Sequence, residues 1–342
     1  MLAADRYLLA GAAFVLSVGG TFTIRALALR LGFVNQPNPI IPQHTLPVAY
    51  AGGVGLFIGV VIALAGWILG GYGAPAVLSC GEASAYLLPA ALFLVMGLYD
   101  DLRSLGTAAK FAFQGLIGAV AVGLGVDVQI TGIAPVDSFL SWFTLLTFVN
   151  AFNLVDVCDG LLASISVVVF AFLAHLVPSA SWIAIPAAGA CLGFLLFNRP
   201  PATIFLGDAG SQTLGYLAGA VILLGGRTGG AEPWLVLVQG FLVASVPLFE
   251  VAFLVVVRRR KGLAWWRGSP DHFSLRLQKA GLSPLQTDLV SVAVCLAVGT
   301  LGLILGRISG AGCGVVVLAA GLLFASFWVT LLRYEVEPEE AG

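Results

Sequence analysis

Acidic side chains are concentrated at short polar breaks between long apolar stretches of this sequence. Five of them end or follow such stretches: Asp100, Asp101, Asp156, Asp159 and Asp208. A carboxylate near the centre of lipid hydrocarbon costs roughly 2.5 to 3.5 kcal/mol, so the placement of these groups at the ends of the stretches is selective. Mg²⁺ takes oxygen ligands, prefers one or two carboxylates, and completes its coordination with water and substrate phosphate. The pattern therefore predicts Mg²⁺-assisted phosphoryl transfer.

The residues between these acids are almost entirely apolar. Of the 342 residues, 59% are hydrophobic and 10% are charged, and the mean hydropathy is +1.02. Soluble domains have about 45–50% apolar and about 25% charged residues, so a soluble enzyme is excluded. The formal net charge of −1 provides no basic field for nucleic acid, and nucleic acid is not an expected partner. The expected surroundings are a lipid bilayer.

The apolar stretches have the length of membrane helices, which need about 20 apolar residues each. Polar and Gly/Pro-rich breaks divide the chain into eleven predicted helices. They cover residues 7–29, 51–71, 84–98, 108–125, 138–154, 160–177, 182–198, 211–226, 233–257, 287–306 and 312–332. The sequence thus predicts an all-α polytopic membrane protein with ten to eleven spans, forming a single integral-membrane domain over residues 1–342.

The distribution of basic residues predicts the orientation of these helices. With the N-terminus outside, thirteen Lys and Arg residues fall on the inner side and three on the outer side. Cytoplasmic loops carry such an excess, so we expect an outside N-terminus and a cytoplasmic C-terminus. All five acids then face the cytoplasm, where loops 32–50, 99–107, 155–160, 199–210 and 258–286 are expected to form the active site. The five scattered cysteines predict neither a disulfide framework nor a zinc site.

Particular residues accompany the acids in each break. The motifs are Gly52-Gly53, Asp100-Asp101, Lys110 with Gln114, Asn150-x-x-Asn153-x-x-Asp156-x-x-Asp159-Gly160, Asn198 with Pro201-Ala202, Phe205-x-Gly207-Asp208-x-Gly210-Ser211, and a basic loop containing His272. With these motifs the chain resembles, from about Pro37 to Ser283, the polyprenyl-phosphate N-acetylhexosamine-1-phosphate transferases of glycosyltransferase family 4. Members that use a muramoyl-pentapeptide substrate carry three histidines in the basic loop. This chain has one there, so the resemblance is closer to the UDP-N-acetylglucosamine branch.

The resemblance implies an activity in the bacterial cytoplasmic membrane. Undecaprenyl phosphate would attack a UDP-N-acetylhexosamine, with UDP-N-acetylglucosamine as the favoured donor, releasing UMP and starting a cell-envelope polysaccharide. Mg²⁺ is the implied cofactor, with Mn²⁺ as an alternative, and relatives often form homodimers. Two alternatives stay open, namely a phospho-N-acetylmuramoyl-pentapeptide transferase of peptidoglycan synthesis and a non-catalytic family member. A transporter is disfavoured because no inverted repeat is visible.

The resemblance also implies roles for individual residues at the phosphates. Asp208 would be the principal Mg²⁺ ligand, assisted by Asp156. Asp100 and Asp101 would hold or deprotonate the lipid phosphate, and Lys110 would offset phosphate charge. A phosphate monoester has a second pKa near 6 and is mostly dianionic at pH 7, so the need for a general base is modest.

Other residues are implied to bind the nucleotide and the sugar. The nucleotide contacts would be Asn150, Asn153, Asp156, Asp159, Asn198 and Phe205. Phe205 would stack on uracil, although a bilayer anchor is the alternative. A helix starting at Ser269-Pro270 would place His272 and Arg276 on one face, within reach of the diphosphate or the sugar.

Two further side chains are notable for their positions. Glu250 lies within the ninth predicted helix, about 12 Å along the helix axis from Arg258, and must face protein or water rather than lipid. His44 lies in the linker after the first helix, where a histidine is either a surface residue or a substrate contact.

Overall fold

The structure is a computed structural model that describes residues 3–36, 46–70, 80–228 and 231–336. His44 and Pro37 lie outside these ranges. The helices are α1 Ala3–Leu31, α2 Gly52–Leu69, α3 Cys80–Arg103, α4 Thr107–Gly123, α5 Ala134–Val155, α6 Leu161–Leu176, α7 Ser181–Asn198, α8 Gly207–Thr228, α9 Pro233–Val243, α10 Ser245–Arg260, α11 Phe273–Lys279, α12 Pro284–Leu305 and α13 Ala311–Leu331. The strands are β1 Val34–Asn35 and β2 Val48–Ala49, and a short 3-10 helix covers Pro178–Ala180.

The predicted class of an all-α multi-pass membrane protein is confirmed. Each of the eleven predicted ranges overlaps a helix, and the range 233–257 contains two, α9 and α10. In the described ranges, seven helices are long and apolar enough to cross a membrane. The α9–α10 pair, bent by 76°, adds an eighth if it is a single span, and α4 and α6 are shorter apolar helices. The predicted number of crossings and the predicted orientation stay predictions.

A small β-structure, which the sequence did not predict, joins the start of α2 to the start of α8. Strands β1 and β2 pair antiparallel, and Ala49 forms a parallel bridge to Ile204. The backbone N–H of Phe205 donates to the Ala49 carbonyl at 2.9 Å, and Gly52 N–H donates to the Phe205 carbonyl at 2.9 Å. These bonds fix the segment that leads into Asp208.

Helix α8 is the central element, because it is buried along most of its length and packs on α2, α3 and α5. Glycines allow this close approach. A Cβ atom on Gly53 would lie 2.3 Å from the Gly210 backbone, and one on Gly97 would lie 2.5 Å from the Ala209 nitrogen. Small residues at such contacts are typical of helices that pack in membranes. The N-terminus of α8 is thereby held against the start of α2 and the end of α3.

The basic loop folds back onto α10, and its helix begins later than predicted. Arg258 Nε donates to Ser269 Oγ at 3.1 Å, which occupies the side chain expected to cap a helix. The Glu250 carboxylate, from α10, instead accepts the Phe273 backbone N–H at 3.2 Å. The prediction of a helix starting at Ser269-Pro270 is therefore wrong, since α11 begins at Phe273.

Candidate active site

The ammonium group of Lys110, in the first turn of α4, lies among oxygen atoms from three other helices. Its Nζ is 3.0 Å from Asp100 Oδ2 of α3 and 3.3 Å from Asn153 Oδ1 of α5, and it contacts Asp208 Oδ2 of α8. The Lys110 side chain is 20% exposed. This group of residues, the acidic cluster, brings together side chains from four separate helices.

The adjacent carboxylates of Asp100 and Asp101 have different partners. Asp101 Oδ1 accepts the Asp208 backbone N–H at 2.9 Å, and its Oδ2 accepts the Ala209 N–H at 3.2 Å. The first amides of a helix have no partner within the helix, so Asp101 acts as an external cap for α8. Asp100 Oδ1 accepts the Leu105 N–H at 2.6 Å, and its Oδ2 pairs with Lys110. Asp101 therefore positions Asp208, whereas Asp100 binds the Lys110 ammonium group.

Amide side chains connect Asp208 to the interior of the bundle. Asn153 Nδ2 donates to Asp208 Oδ1 at 2.8 Å. Asn150 Nδ2 donates to Gln114 Oε1 at 3.0 Å, Gln114 Nε2 donates to Gln212 Oε1 at 2.9 Å, and Gln212 Nε2 reaches Asp208 Oδ2 at 3.4 Å. Gln114 and Gln212 are fully buried. The structure thus places Asn150 in a hydrogen-bond chain behind Asp208.

Asp156 and Tyr50 lie in the electrostatic field of the same cluster. Burial raises the pKa of the Asp156 carboxyl well above its usual range, and the charges of Asp208, Asp101 and Asp159 add to the effect. Within the described ranges, no hydrogen bond or ion pair holds the Asp156 side chain. Burial likewise raises the pKa of the Tyr50 hydroxyl, and the negative charges of Asp101, Asp208 and Asp156 raise it further. Asp156 is therefore a carboxylate near Asp208 that is available to a cation.

The donor atoms of this cluster fit a hard divalent cation. Carboxylate oxygens of Asp100 and Asp208 and the amide oxygen of Asn153 already surround one cationic group, the Lys110 ammonium. Across the described residues, no three His, Cys, Asp or Glu side chains converge as a metal-binding group. The cluster offers one or two carboxylates to a single ion, which is the number that Mg²⁺ uses when phosphate oxygens and water complete its coordination.

Comparison with known proteins places these residues in a family. A family model for glycosyl transferase family 4 matches residues 83–226. The decaprenyl-phosphate N-acetylglucosaminephosphotransferase of Mycobacterium tuberculosis (strain ATCC 25618 / H37Rv) is 30% identical, over 81% of this chain and 77% of the relative. This chain belongs to glycosyl transferase family 4. A Bacillus subtilis relative named "Probable undecaprenyl-phosphate N-acetylglucosaminyl 1-phosphate transferase" is 29% identical over 78% of this chain and 75% of its own length. The undecaprenyl-phosphate alpha-N-acetylglucosaminyl 1-phosphate transferase of Escherichia coli (strain K12) is 24% identical over 83% and 79%.

Two polar residues that the family resemblance assigned to the nucleotide have structural partners. Asn198 is 4% exposed, accepts the Gly160 N–H at 3.1 Å and donates to the Ile204 carbonyl at 2.9 Å. Asp159 is 7% exposed and accepts the Ala202 N–H at 2.9 Å. Both side chains fasten segment 199–206 to the start of α6. The structure therefore places them in contact with the residues that lead into the Phe205–Ser211 motif.

Phe205 lies in that segment, beside Tyr50. The two rings meet edge to face at a centroid distance of 6.3 Å. Phe205 is partly exposed, and its backbone is fixed on both sides by hydrogen bonds to Ala49 and Gly52. A rigid backbone and an aromatic neighbour suit a ring that binds a planar ligand. The structure brings Phe205 close to the acidic cluster through Tyr50.

His272 lies before α11, whereas Arg276 lies within that helix. Arg276 is fully buried, with Nη2 at 2.7 Å from Asp271 Oδ1 and its guanidinium 5.2 Å from the centre of the Phe253 ring. His272 precedes α11 and its Nδ1 lies 2.6 Å from Glu250 Oε1. The structure does not bring Arg276 to the acidic cluster; it places this residue inside the basic loop.

Sequence reasoning missed two residues of this neighbourhood, Tyr50 and Gln212, and the partner of a third, Glu250. Tyr50 is adjacent to the Gly52-Gly53 motif, and that proximity was the available signal. Gln212 follows Asp208 by one helical turn, so the i, i+4 spacing could have indicated its contact. Glu250 was noted as a buried acid, but its partner His272 is 22 residues away along the chain and could not be inferred.

Proposed function

We propose that this chain transfers N-acetylglucosamine 1-phosphate from UDP-N-acetylglucosamine to undecaprenyl phosphate and releases UMP. The names of the relatives above support the reaction class and the polyprenyl phosphate acceptor. The observation that carries the proposal here is the Lys110 ammonium held among Asp100, Asn153 and Asp208. A single cation surrounded by carboxylates at helix ends suits the positioning of phosphates, which is the main task in phosphoryl transfer.

The reaction forms one bond and breaks one. A phosphate oxygen of the lipid attacks the phosphorus that carries the sugar, and the bond from that phosphorus to the bridging oxygen breaks. UMP leaves with the electron pair. Lys110 would offset the negative charge that moves onto the leaving phosphate, and Asp100 would orient the ammonium.

We propose Mg²⁺ as the cofactor, held by Asp208 with Asp156 and with phosphate oxygens. Bound there, it would act as a Lewis acid on the diphosphate. Asp101 and Asn153 keep the Asp208 carboxylate in place through the bonds described above. Mn²⁺ shares the preference for oxygen ligands and is the expected substitute.

The same proposal places the site at the cytoplasmic side of the bacterial inner membrane, with the N-terminus outside and eleven crossings. Two observations support it: the excess of Lys and Arg in the loops on one side, and the convergence of Asp100, Asn153 and Asp208 from α3, α5 and α8. Reporter fusions to the two termini would test the orientation. Light scattering of the solubilised protein would test the homodimer that the family resemblance implies.

The deciding experiment measures UMP release by the purified protein with undecaprenyl phosphate, Mg²⁺ and a panel of UDP-N-acetylhexosamines. Asp208→Asn should abolish turnover, because it removes the proposed metal ligand and one of the two carboxylate partners of Lys110. Asp127→Asn is a matched control, since Asp127 pairs with the exposed Arg227 at 3.4 Å, remote in sequence from the acid motifs. Chelation should abolish release, and Mg²⁺ should restore it.

Each outcome separates the open alternatives. Release with the muramoyl-pentapeptide donor alone would move the chain to the peptidoglycan branch. No release with any donor, from protein that stays folded, would favour a non-catalytic family member. Full activity of Asp208→Asn would refute the assignment of the metal site.

A further inference from the structure

A buried acid and the loop histidine form a dyad outside the acidic cluster. Glu250 of α10 is 1% exposed, and its Oε1 lies 2.6 Å from His272 Nδ1. Its second oxygen, Oε2, accepts the Phe273 N–H at 3.2 Å. Both oxygens of one buried carboxylate are therefore used to hold the residue that begins α11 and the imidazole before it.

Glu250 is best satisfied as the ionised acceptor of both bonds. A backbone N–H can only donate, so Oε2 accepts. Arg258, two turns later in the same helix, interacts with the charges of Glu250 and Asp271. With Oε1 also accepting, the proton of the neutral imidazole is on Nδ1. The hydrogen bond at one ring nitrogen fixes which nitrogen carries the proton.

Helix α11, which follows the fixed ring, contacts the loop that carries two site aspartates. The Oγ atom of Ser274, two residues after His272, lies 3.3 Å from Cys158 Sγ. Gln278 Nε2 lies 3.2 Å from the same sulfur. Cys158 stands between Asp156 and Asp159 in the chain. The imidazole is 13% exposed, and across the described ranges its Nε2 has no hydrogen-bond partner.

We propose that Glu250 is a positioning residue that holds His272 in the Nδ1–H tautomer and leaves Nε2 as an acceptor for a substrate hydroxyl or for a proton shared with the diphosphate. This inference rests on the proposed function for its kinetic part only. The tautomer itself is a property of the protein without substrate. For histidines that bind metals, loss of a carboxylate partner at the other ring nitrogen typically costs 10–100-fold in activity or metal affinity, and we expect a loss of the same order for His272.

The first test reads the tautomer directly. The chain has three histidines, so ¹⁵N-histidine labelling gives few signals, and the His272 signals are those lost in His272→Gln. At a pH where imidazole is neutral, we expect a protonated Nδ1 and an unprotonated Nε2 in the parent protein. Glu250→Ala should move the proton to Nε2, the form favoured without a partner. Glu232→Gln, which changes an exposed acid, should leave the spectrum unchanged.

The second test is a double-mutant cycle on UMP release. We expect Glu250→Ala to lower kcat by 10–100-fold, and by less than twofold when His272 is already alanine. Glu250→Gln keeps one acceptor oxygen and should fall between the parent and Glu250→Ala; it also serves if the alanine variant does not fold. An unchanged tautomer in Glu250→Ala, or additive losses in the cycle, would overturn the proposal. A parent protein that shows the tautomer but releases no UMP would contradict the proposed function and leave the Glu250–His272 coupling standing.

Discussion

Replacing Asp101 by asparagine separates a positioning role from a direct role in chemistry. Asp101 accepts two backbone N–H groups at the start of α8, from Asp208 and Ala209. Asparagine offers one acceptor oxygen, so one of these bonds is lost and an amide N–H₂ faces a backbone N–H. The helix end also loses a negative charge that its dipole attracts. Asp101→Asn should therefore displace the very residue that carries the proposed chemistry.

The magnitude follows from the bonds that are lost. A hydrogen bond to a charged group contributes about 1.5–3 kcal/mol, and a charge at a helix end contributes about 0.3–1 kcal/mol. We expect Asp101→Asn to lower the free energy of unfolding by about 2–4 kcal/mol. We also expect at least a 100-fold loss of activity, because a displacement of about 1 Å in a catalytic group has that effect.

Asp100→Asn is the matched comparison on the neighbouring residue. Its amide oxygen can still accept the Leu105 N–H, and Lys110 keeps Asp208 and Asn153 as partners, so Asp100→Asn should lower the free energy of unfolding by less than Asp101→Asn does. Thermal unfolding in detergent and UMP release would be measured on both variants. If Asp101→Asn unfolds at the parent temperature while activity is lost, Asp101 contacts substrate and the reasoning is wrong.

Two further predictions concern the basic loop. Asp271 and Arg276 form a buried pair, 1% and 0% exposed, so Asp271→Asn should destabilise the protein by about 3–5 kcal/mol in chemical unfolding. Burial alone would raise the pKa of the Asp271 carboxyl, but hydrogen bonds from Lys261 and Arg276 hold this pKa below its usual range. The stability that the Asp271 carboxylate provides is therefore fully present above about pH 4–5 and is lost as the pH falls through the folded-state pKa. A stability gap between parent and variant that stays constant down to pH 3 would contradict this assignment. Burial raises the pKa of the Cys158 thiol to about 12. At pH 8, iodoacetamide should therefore alkylate Cys158 about 10⁴-fold more slowly than it alkylates a free thiolate. Rapid labelling of a variant that keeps Cys158 as its single cysteine would show that α11 does not cover this thiol.

The sequence was sufficient for the helices because apolar stretches report membrane helices locally. Each predicted range overlaps a helix, and the convergence of Asp100 with Asp208 followed from the order of the breaks. The exact partners depended on tertiary contacts instead. Asn198 looked like a ligand contact in a motif, yet its two bonds go to Gly160 and Ile204.

The error in the basic loop has a similar origin. Ser269 followed by Pro270 is a good local signal for a helix start. In the structure, Arg258 binds the Ser269 hydroxyl, which is therefore not free to cap a helix. Glu250 of α10 instead accepts the backbone N–H of Phe273, where α11 begins. Arg276 then lies inside the protein, which a charged residue tolerates only with a partner such as Asp271. Neither contact has a signature in the local sequence.

The balance of charge in the acidic cluster bears on how an anionic substrate enters it. Asp100, Asp101, Asp156 and Asp208 lie close together, and within the described ranges Lys110 is the ammonium that contacts two of them. A nucleoside diphosphate and a lipid phosphate would bring several more negative charges to this cluster. Two like charges about 4 Å apart repel by about 4 kcal/mol at the effective dielectric constant typical of sites near a protein surface. Binding therefore requires either protonation of carboxylates or an added cation, and a divalent cation achieves charge balance without removing the acceptors that hold Lys110 and Asn153.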